Sequence, residues 1–168
     1  MFLSLIVPGL GQYYAGSTGY GKIFLAAELA LWGTYYYNDT MMEAKRQDYL
    51  TCAVRHAGVN PAGQGTFYLN AIGSFATSYD YNSYQLTLED PVSYSGALAW
   101  SWDSSASRYR FKELRKEELD YENNLKFCVA GIVLNHLLSA LHASKQTGPA
   151  VTVRPLGGGF AATYSRSY

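Results

Sequence analysis

One glutamate and two histidines lie inside the two most apolar stretches of the chain. Glu28 interrupts the run 23–37, and His136 and His142 interrupt the run 125–143. A carboxylate in an apolar layer must be protonated or paired, so these three residues are predicted to form a buried polar cluster. The cluster could handle a proton or an ion, or it could clamp two helices together. The two histidines point to different faces of a helix, unlike an i, i+4 pair, which argues against a metal site.

No complete catalytic motif accompanies these residues, and the sequence predicts neither an enzyme nor a cofactor. Lys22 is followed by Ile23, so the glycine-rich segment before it is not a phosphate-binding loop. Nothing resembles a nucleophile elbow. The two cysteines, Cys52 and Cys128, are too few for a disulfide scaffold or a four-ligand zinc site. We assign no catalytic residue and no metal ligand.

Composition limits the class of protein further. The chain has 168 residues, and Lys plus Arg balances Asp plus Glu at 13 each. This balance argues against a non-specific nucleic-acid binder. Charged residues make up 15%, below the roughly 25% of an ordinary soluble domain. We expect a single domain, 1–168, whose partners are lipid and other protein subunits.

Two long helices are predicted to position the polar cluster. Helix 1, over 19–57, has an apolar half followed by a polar half, and helix 2, over 108–145, has the reverse order. Antiparallel packing brings the apolar halves together. Each helix would be roughly 57 Å long, which exceeds a bilayer core of about 30 Å, so only the apolar halves could be embedded. With Lys22 and Lys145 at one membrane edge, Glu28 would be level with Ser139 and within a turn of either histidine.

The apolar halves are short for membrane spans. Each is at or below the roughly 17–25 residues that a spanning helix needs. Tyr35, Tyr36 and Tyr37 lie where an interfacial aromatic belt would be expected, which favours a membrane-embedded hairpin. A water-soluble helical hairpin buried in a larger assembly is the competing interpretation.

Small and polar residues recur every three or four positions in both apolar halves. Such residues allow close approach of two backbones and hydrogen bonds across helices. They predict a helix–helix interface formed by Ala26, Ala30, Gly33, Cys128, Gly131, Asn135 and Ser139.

The segment 58–107 between the helices is rich in Gly, Ser, Asn, Tyr and Trp. We predict an irregular connection with short strands at the sequences TFYL and YQLTL. Trp100, Trp102 and Asp103 could form a carbohydrate- or partner-binding face, or they could pack in a cap over the hairpin. The tail, 146–168, is predicted to be an extended arm that docks on a neighbour.

The first segment, 1–18, combines a short apolar run with a glycine-rich bend. The run at 2–7 has no basic residues before it, so it is either the remainder of a signal peptide or the start of a short helix. The bend consists of Pro8, Gly9, Gly11 and Gln12. It could be a tight corner before helix 1, or a gate or lipid-headgroup site.

An ordered set of motifs runs along most of the chain. Its residues are Pro8 to Tyr14 with Gly16 and Gly19 to Lys22; Phe67, Tyr68, Ile72 and Gly73; Trp100, Trp102 and Asp103; Arg108, Tyr109, Arg115 and Lys116; and Leu134 to His136 with Ser139 and Ala140. This set resembles an uncharacterised family of Gram-negative envelope proteins with a Pro-Gly-Leu-Gly-Gln motif and a two-helix membrane hairpin. The resemblance implies a location in the bacterial envelope and implies no activity.

Taken together, the sequence predicts a non-enzymatic, membrane-associated structural or accessory subunit of a bacterial envelope assembly. Two alternatives stay open. One is a membrane transport or lipid-handling element that uses Glu28 and His136. The other is an aromatic binding module on a helical stem. A pH-dependent flux in vesicles would favour the former, and extraction with carbonate alone would favour the latter.

Overall fold

The computed structural model describes the backbone of residues 2–88, 92–146, 150–156 and 159–165, and the side chains of 3–88 and 92–146. The fold is mainly α-helical, as predicted. Its elements in chain order are α1 (Phe2–Ile6), α2 (Leu10–Tyr14), α3 (Thr18–Ala57), α4 (Thr66–Ser74), α5 (Ser78–Gln85), a 3₁₀ turn (Gly96–Leu98), α6 (Ser105–Gln146), β1 (Ala150–Leu156) and β2 (Gly159–Ser165).

The chain divides into two compact units. The first unit comprises Met1–Tyr36 and Leu125–Tyr168, and the second comprises Tyr37–Asn124. Helices α3 and α6 contribute to both units, because each is long enough to provide one half to each. The division coincides with the predicted change from apolar to polar halves.

The two long helices begin and end close to their predicted limits. Gly58 follows the last residue of α3 with a φ of 69°, the left-handed conformation that commonly terminates a helix. At the start of α6, the side-chain oxygen of Ser104 accepts a hydrogen bond of 3.1 Å from the Ser107 backbone N–H. This cap places the helix start at Ser105.

Helices α3 and α6 pack antiparallel within each unit. In the first unit, the Tyr20 ring lies 4.5 Å from the ring of His142, and Leu31 contacts Gly131. In the second unit, a hydrogen bond of 3.1 Å joins Asn38 to Asn124, and an ion pair of 2.6 Å joins Lys45 to Glu117. Partner numbers on α6 fall as those on α3 rise, which is the predicted hairpin arrangement.

The connection between the long helices is helical rather than built from short strands. The sequence TFYL begins α4, and YQLTL starts in the last turn of α5. Helix α4 buries Tyr68, Leu69, Ala71 and Ile72, a spacing that fits one helix face and not one strand face. Within 58–88 and 92–104, β-structure is limited to a single bridge between Thr77 and Ser101.

The connection packs on the polar halves of the long helices and forms a hydrophobic core in the second unit. Phe111 and Ile72 are completely buried at its centre. Edge-to-face aromatic contacts, such as that between Tyr49 and Phe111 at 5.6 Å, fill the remaining space. The other members are Tyr49, Cys52, Ala53, Ala57, Val59, Tyr68, Leu69, Ala71, Trp100, Trp102 and Leu114.

The tail forms an antiparallel β-hairpin instead of a single extended arm. The register pairs Ala150 with Ser165 and Leu156 with Gly159. Alternating residue types in both strands favour β-structure. The final part of the predicted arm, 166–168, lies outside the described residues.

Candidate functional site

The glycine-rich bend forms a tight corner in the first unit. Gly9 has a φ of 97°, a left-handed conformation that L-residues rarely adopt. A Cβ atom at Gly9 would lie 2.4 Å from the carbonyl oxygen of Gly21 in α3. Glycine is therefore required here both by its conformation and by the close approach of two backbones. Pro8, the preceding residue, is also buried.

A buried amide fixes this corner to α6. The Gln12 side chain donates a hydrogen bond of 2.7 Å to the Ser139 carbonyl, and its oxygen accepts bonds from the hydroxyls of Ser4 and Ser139 at 3.1 and 3.2 Å. The Gly9 N–H donates to the Ser139 hydroxyl at 2.8 Å, and the Gly11 N–H donates to the Ser4 hydroxyl at 2.9 Å. Gln12, Ser4 and Ser139 have no solvent exposure, so the bend is an internal polar clamp.

The second polar group of this unit surrounds Glu28. Its Oε1 accepts a hydrogen bond of 2.7 Å from the Trp32 indole and lies 3.2 Å from His136 Nε2. Its Oε2 accepts a bond of 2.9 Å from the amide of Asn135, which also donates to the Phe24 carbonyl. Both carboxylate oxygens are therefore held by α3 and α6 side chains.

The imidazole of His136 contacts both α1 and α3. Its Nδ1 lies 2.7 Å from the Leu5 carbonyl oxygen, which can only accept, so Nδ1 is the donor in this contact. Its Nε2 faces Glu28 at 3.2 Å. The two contacts together tie α1, α3 and α6 to one another.

His142 lies apart from this group, although the sequence predicted one cluster of three. Its ring packs against the rings of Tyr20 and Phe24, with centroids 4.5 and 5.8 Å away. Its Nδ1 is buried without a hydrogen-bond partner. His142 is six residues from His136 along α6, which is fewer than two turns, and its ring forms part of an aromatic contact instead of the Glu28 group.

The predicted interface residues divide between the two helices. On α6, Cys128, Asn135 and Ser139 are buried, and Gly131 contacts Leu31. On α3, the predicted residues are exposed, and a Cβ atom at Gly33 would meet no other atom within 4 Å. The inward face of α3 instead presents Gly21, Phe24, Glu28 and Leu31. The physical reason is complementarity, because small residues on α6 leave space that larger side chains on α3 fill. The exposed residues of the predicted α3 stripe are Ala26, Ala30 and Gly33.

The predicted binding face of Trp100, Trp102 and Asp103 is not one surface. Both indoles are buried in the second unit, where Trp100 donates to the Phe75 carbonyl at 3.2 Å and Trp102 to the Ile72 carbonyl at 2.8 Å. These bonds satisfy the indole N–H groups inside the core.

Asp103 alone is exposed, and it pairs with His56 at 2.7 Å. The hydrogen bond from His56 holds the pKa of Asp103 below its ordinary value. The carboxylate of Asp103 is therefore engaged by His56, and neither buried indole forms an exposed aromatic surface beside it.

Three residues that take part in these polar groups were not predicted from the sequence. Ser4 lies in the short apolar run, Trp32 lies in an apolar stretch, and Leu5 contributes through its backbone carbonyl. The spacing of Glu28 and Trp32 by four residues on one helix could have indicated that pair.

Around these polar groups, the first unit presents an apolar surface. Ile6, Leu29, Phe127 and Leu141 are each at least 60% exposed, and Trp32 is 52% exposed. Helix α6 is the one helix, among the residues described, that is long and apolar enough to cross a membrane, with a mean hydropathy of 1.5 over its most apolar window. Only 28% of that window is buried inside the protein. The remaining large exposed side chains of this unit include Leu3, Leu10, Tyr14, Tyr20, Ile23, Tyr36, Val129, Val133, Leu134, Leu137 and Leu138.

The polar contacts of this site hold α1, α3 and α6 together. No group of three or more His, Cys, Asp or Glu side chains that could hold a metal ion occurs in the described part of the chain. No protein-family model, characterised protein or solved structure matches the chain significantly.

Proposed function

We propose that the protein is a non-enzymatic, membrane-associated structural or accessory subunit of a bacterial cell-envelope assembly. The segments of α3 and α6 within the first unit, 18–36 and 125–146, would lie in the lipid. The observation that carries the proposal is the inverted polarity of that unit, which buries Gln12, Glu28 and Ser139 and exposes its large apolar side chains. In water this distribution is unfavourable, whereas in lipid the exposed side chains meet hydrocarbon.

The internal polar contacts support the same environment. Helices in lipid gain no hydrophobic free energy from packing together, so they associate through small residues and interhelical hydrogen bonds. The Gly131–Leu31 contact and the bonds of Glu28 and Asn135 are of these two kinds. Ionisable groups inside a membrane protein face its interior and pair there, as Glu28 and His136 do.

Two features support a role as a subunit of a larger assembly. An isolated two-stranded hairpin is marginally stable in water, which supports docking of β1 and β2 on a neighbouring sheet. The resemblance of the segment Pro8 to Gln12 and of the later motifs to Gram-negative envelope proteins supports the location. No activity is part of the proposal, because the polar atoms of the Glu28 group are engaged in holding three helices.

Quenching by brominated lipid tests the membrane proposal. In vesicles whose acyl chains carry bromine, we expect fluorescence of Trp32 to be quenched, because this side chain is exposed on the apolar surface. Trp100 and Trp102 are buried in the second unit and act as internal controls. The Trp32→Phe variant should lose most of the quenching. Equal quenching in the wild type and in this variant would contradict contact of the first unit with lipid.

Purification from cell membranes in mild detergent tests the subunit proposal. A tagged full chain should retain a partner at a fixed stoichiometry, and a variant lacking 147–168 should lose it. A chain that purifies alone at every detergent concentration would contradict a role in an assembly.

A further inference from the structure

A groove in the second unit is lined by four cationic side chains of α6. It encloses about 210 Å³ between α6 and the C-terminal end of α4, and a neighbouring cleft of about 470 Å³ continues it along α6. Leu119 contributes apolar surface to the first part, and the buried ring of Phe111 lies beneath it. The four cations are Arg108, Lys112, Arg115 and Lys116, and together they define the basic groove.

Helix geometry places these cations on one side of α6. Their spacing follows positions i, i+4, i+7 and i+8, which share a face. Gly73 of α4 lets the Lys112 stem pass close by, because a Cβ atom there would lie 3.3 Å from its Cγ. A residue larger than glycine would therefore narrow the groove at its middle.

The two arginines are held in place by neutral partners. Arg108 donates to the Ser74 carbonyl at 2.8 Å, and Arg115 donates to the Asn70 side-chain oxygen at 2.6 Å. Each bond uses one N–H of a guanidinium that carries five, so both retain donors for a ligand. These contacts orient the arginines without neutralising their charge.

The basic groove has no carboxylate paired with its cations. In the described part of the chain, Lys112 and Lys116 make no ion pair or hydrogen bond, and Glu113 pairs with Arg110 outside the groove. Burial lowers the pKa of Arg115, although Glu118 exerts a weaker opposing influence. A partly desolvated cation without a paired anion is an unfavourable arrangement that a bound anion would relieve. Because the chain as a whole is neutral, this local excess of positive charge does not follow from composition.

We propose that the basic groove binds a phosphate group, either free or as the headgroup of an anionic phospholipid. A phosphate carries up to two negative charges and several acceptor oxygens, which match two lysines and two oriented arginines better than a single carboxylate does. The proposal does not rest on the membrane environment of the first unit.

Calorimetric titration of the full chain in neutral detergent with inorganic phosphate tests the proposal. At constant ionic strength we expect saturable binding of phosphate, and weaker binding of acetate, which presents one carboxylate. The double variant Lys112→Gln/Lys116→Gln should bind phosphate at least roughly tenfold more weakly, because it loses two charge-assisted contacts. Both lysines are exposed, so the variant should retain the wild-type fold and melting temperature.

Arg110→Gln provides the control for a general loss of charge. Arg110 is on the same helix and is exposed, but it pairs with Glu113 and does not line the basic groove. Its replacement should leave phosphate affinity within about twofold of the wild type. An equal loss of affinity in Arg110→Gln, or acetate binding as tight as that of phosphate, would overturn the proposal.

A second arm distinguishes the source of the phosphate. The full chain is mixed with phosphatidylcholine vesicles that contain or lack phosphatidic acid. Binding that depends on phosphatidic acid and is lost in the double variant would identify a headgroup, whereas binding of inorganic phosphate alone would identify a free anion. Absence of saturable binding in both arms would refute the site.

Discussion

The two units of this protein bury opposite kinds of residue. The second unit has an interior of aromatic and aliphatic side chains, including Trp102, Phe111 and Ile72. The first unit has an interior that contains Gln12 and Glu28, together with small residues such as Ala143. One chain thus applies two packing schemes, and the boundary between them crosses both of its long helices.

Solvent determines which scheme stabilises a fold. Where water surrounds the protein, burying apolar area contributes about 25 cal/mol per Å², and buried polar groups are tolerated only when bonded. Where hydrocarbon surrounds it, apolar side chains gain little by moving inside, and polar contacts and close packing hold the helices. The second unit is packed as expected for a protein in water. Our proposal is that the first unit is packed as expected for a protein in hydrocarbon.

Helix α6 offers a direct comparison because it carries the same residue type in both environments. Phe111 is 0% exposed in the second unit, and Phe127 is 75% exposed in the first. The difference therefore lies in what surrounds each side chain and not in its chemistry.

Replacing each phenylalanine by alanine should give the largest contrast. Phe111→Ala leaves a cavity among Tyr49, Trp102 and Gly73, and we expect it to lower the free energy of unfolding by about 3–5 kcal/mol. Phe127→Ala removes a side chain that contacts little protein and should cost less than about 0.5 kcal/mol. Denaturation of the full chain in neutral detergent measures both. Equal losses would mean that Phe127 is also buried, and the contrast between the units would fail.

Substitutions at Glu28 test whether polar contacts hold the first unit. Glu28→Lys replaces an acceptor with a donor opposite Trp32, Asn135 and His136, and leaves an unpaired buried charge. We expect a loss of about 3–5 kcal/mol and release of α6 from α3. Glu28→Gln retains one acceptor oxygen and should cost about 1 kcal/mol.

Thermal melts followed by circular dichroism, together with limited proteolysis of the first unit, separate these outcomes. Equal tolerance of the two Glu28 variants would show that the hydrogen bonds around this residue contribute little, so that the first unit must be held by packing alone.

Substitutions of two glycines test how closely the backbone of the first unit is packed. Gly9→Ala would bring a Cβ atom to 2.4 Å from the Gly21 oxygen at a φ that alanine avoids, and we expect a loss of more than about 1 kcal/mol. Gly33→Ala meets no neighbour within 4 Å and improves helix propensity, so it should stabilise α3 by up to about 1 kcal/mol. Melting temperatures of the two variants give the comparison. Destabilisation by Gly33→Ala would restore the interface predicted from the small residues of α3.

The predictable part of the fold came from long, strongly patterned segments. Apolar and polar halves in opposite order predict the antiparallel pair of helices, and the recurrence of Cys128, Gly131, Asn135 and Ser139 predicts the inward face of α6. On α3, the same reasoning selected the exposed face. Small residues on one helix pack against large residues on the next. The pattern of a single helix does not reveal whether that helix supplies the small or the large residues.

The long-range register could be predicted only to about one helical turn. Glu28 was expected level with Ser139 and within a turn of either histidine. Its partners are Asn135 and His136, about one turn from Ser139 along α6. The flanking lysines do not fix the alignment of the two helices, whereas the fit of Leu31 over Gly131 does.

Short apolar segments of the connection were equally ambiguous. TFYL fits a strand as well as a helix by local pattern, and its helical state follows from packing of Tyr68 and Ile72 in the core. From the sequence, the indoles of Trp100 and Trp102 fitted either a binding face, where aromatic residues are common, or a cap packed over the hairpin. Only tertiary structure brings backbone carbonyl acceptors to them inside the core.

The smallest contrast concerns a polar atom within the apolar interior of the second unit. Tyr68 donates to the Leu98 carbonyl at 2.7 Å, and burial raises its pKa to about 12. A raised pKa means that its contribution to stability is complete below about pH 10, the ordinary value, and is lost as the pH rises through 12. Tyr68→Phe should cost about 1 kcal/mol at neutral pH. Between pH 10 and 12 the variant should lose less free energy of unfolding than the wild type, so the two curves of this free energy against pH converge there.

Tyr79→Phe, at a side chain that is 77% exposed, should stay within about 0.5 kcal/mol of the wild type at neutral pH. Parallel pH profiles for wild type and Tyr68→Phe would show that this hydroxyl is hydrated, and that the interior of the second unit is less dry than its aromatic packing implies.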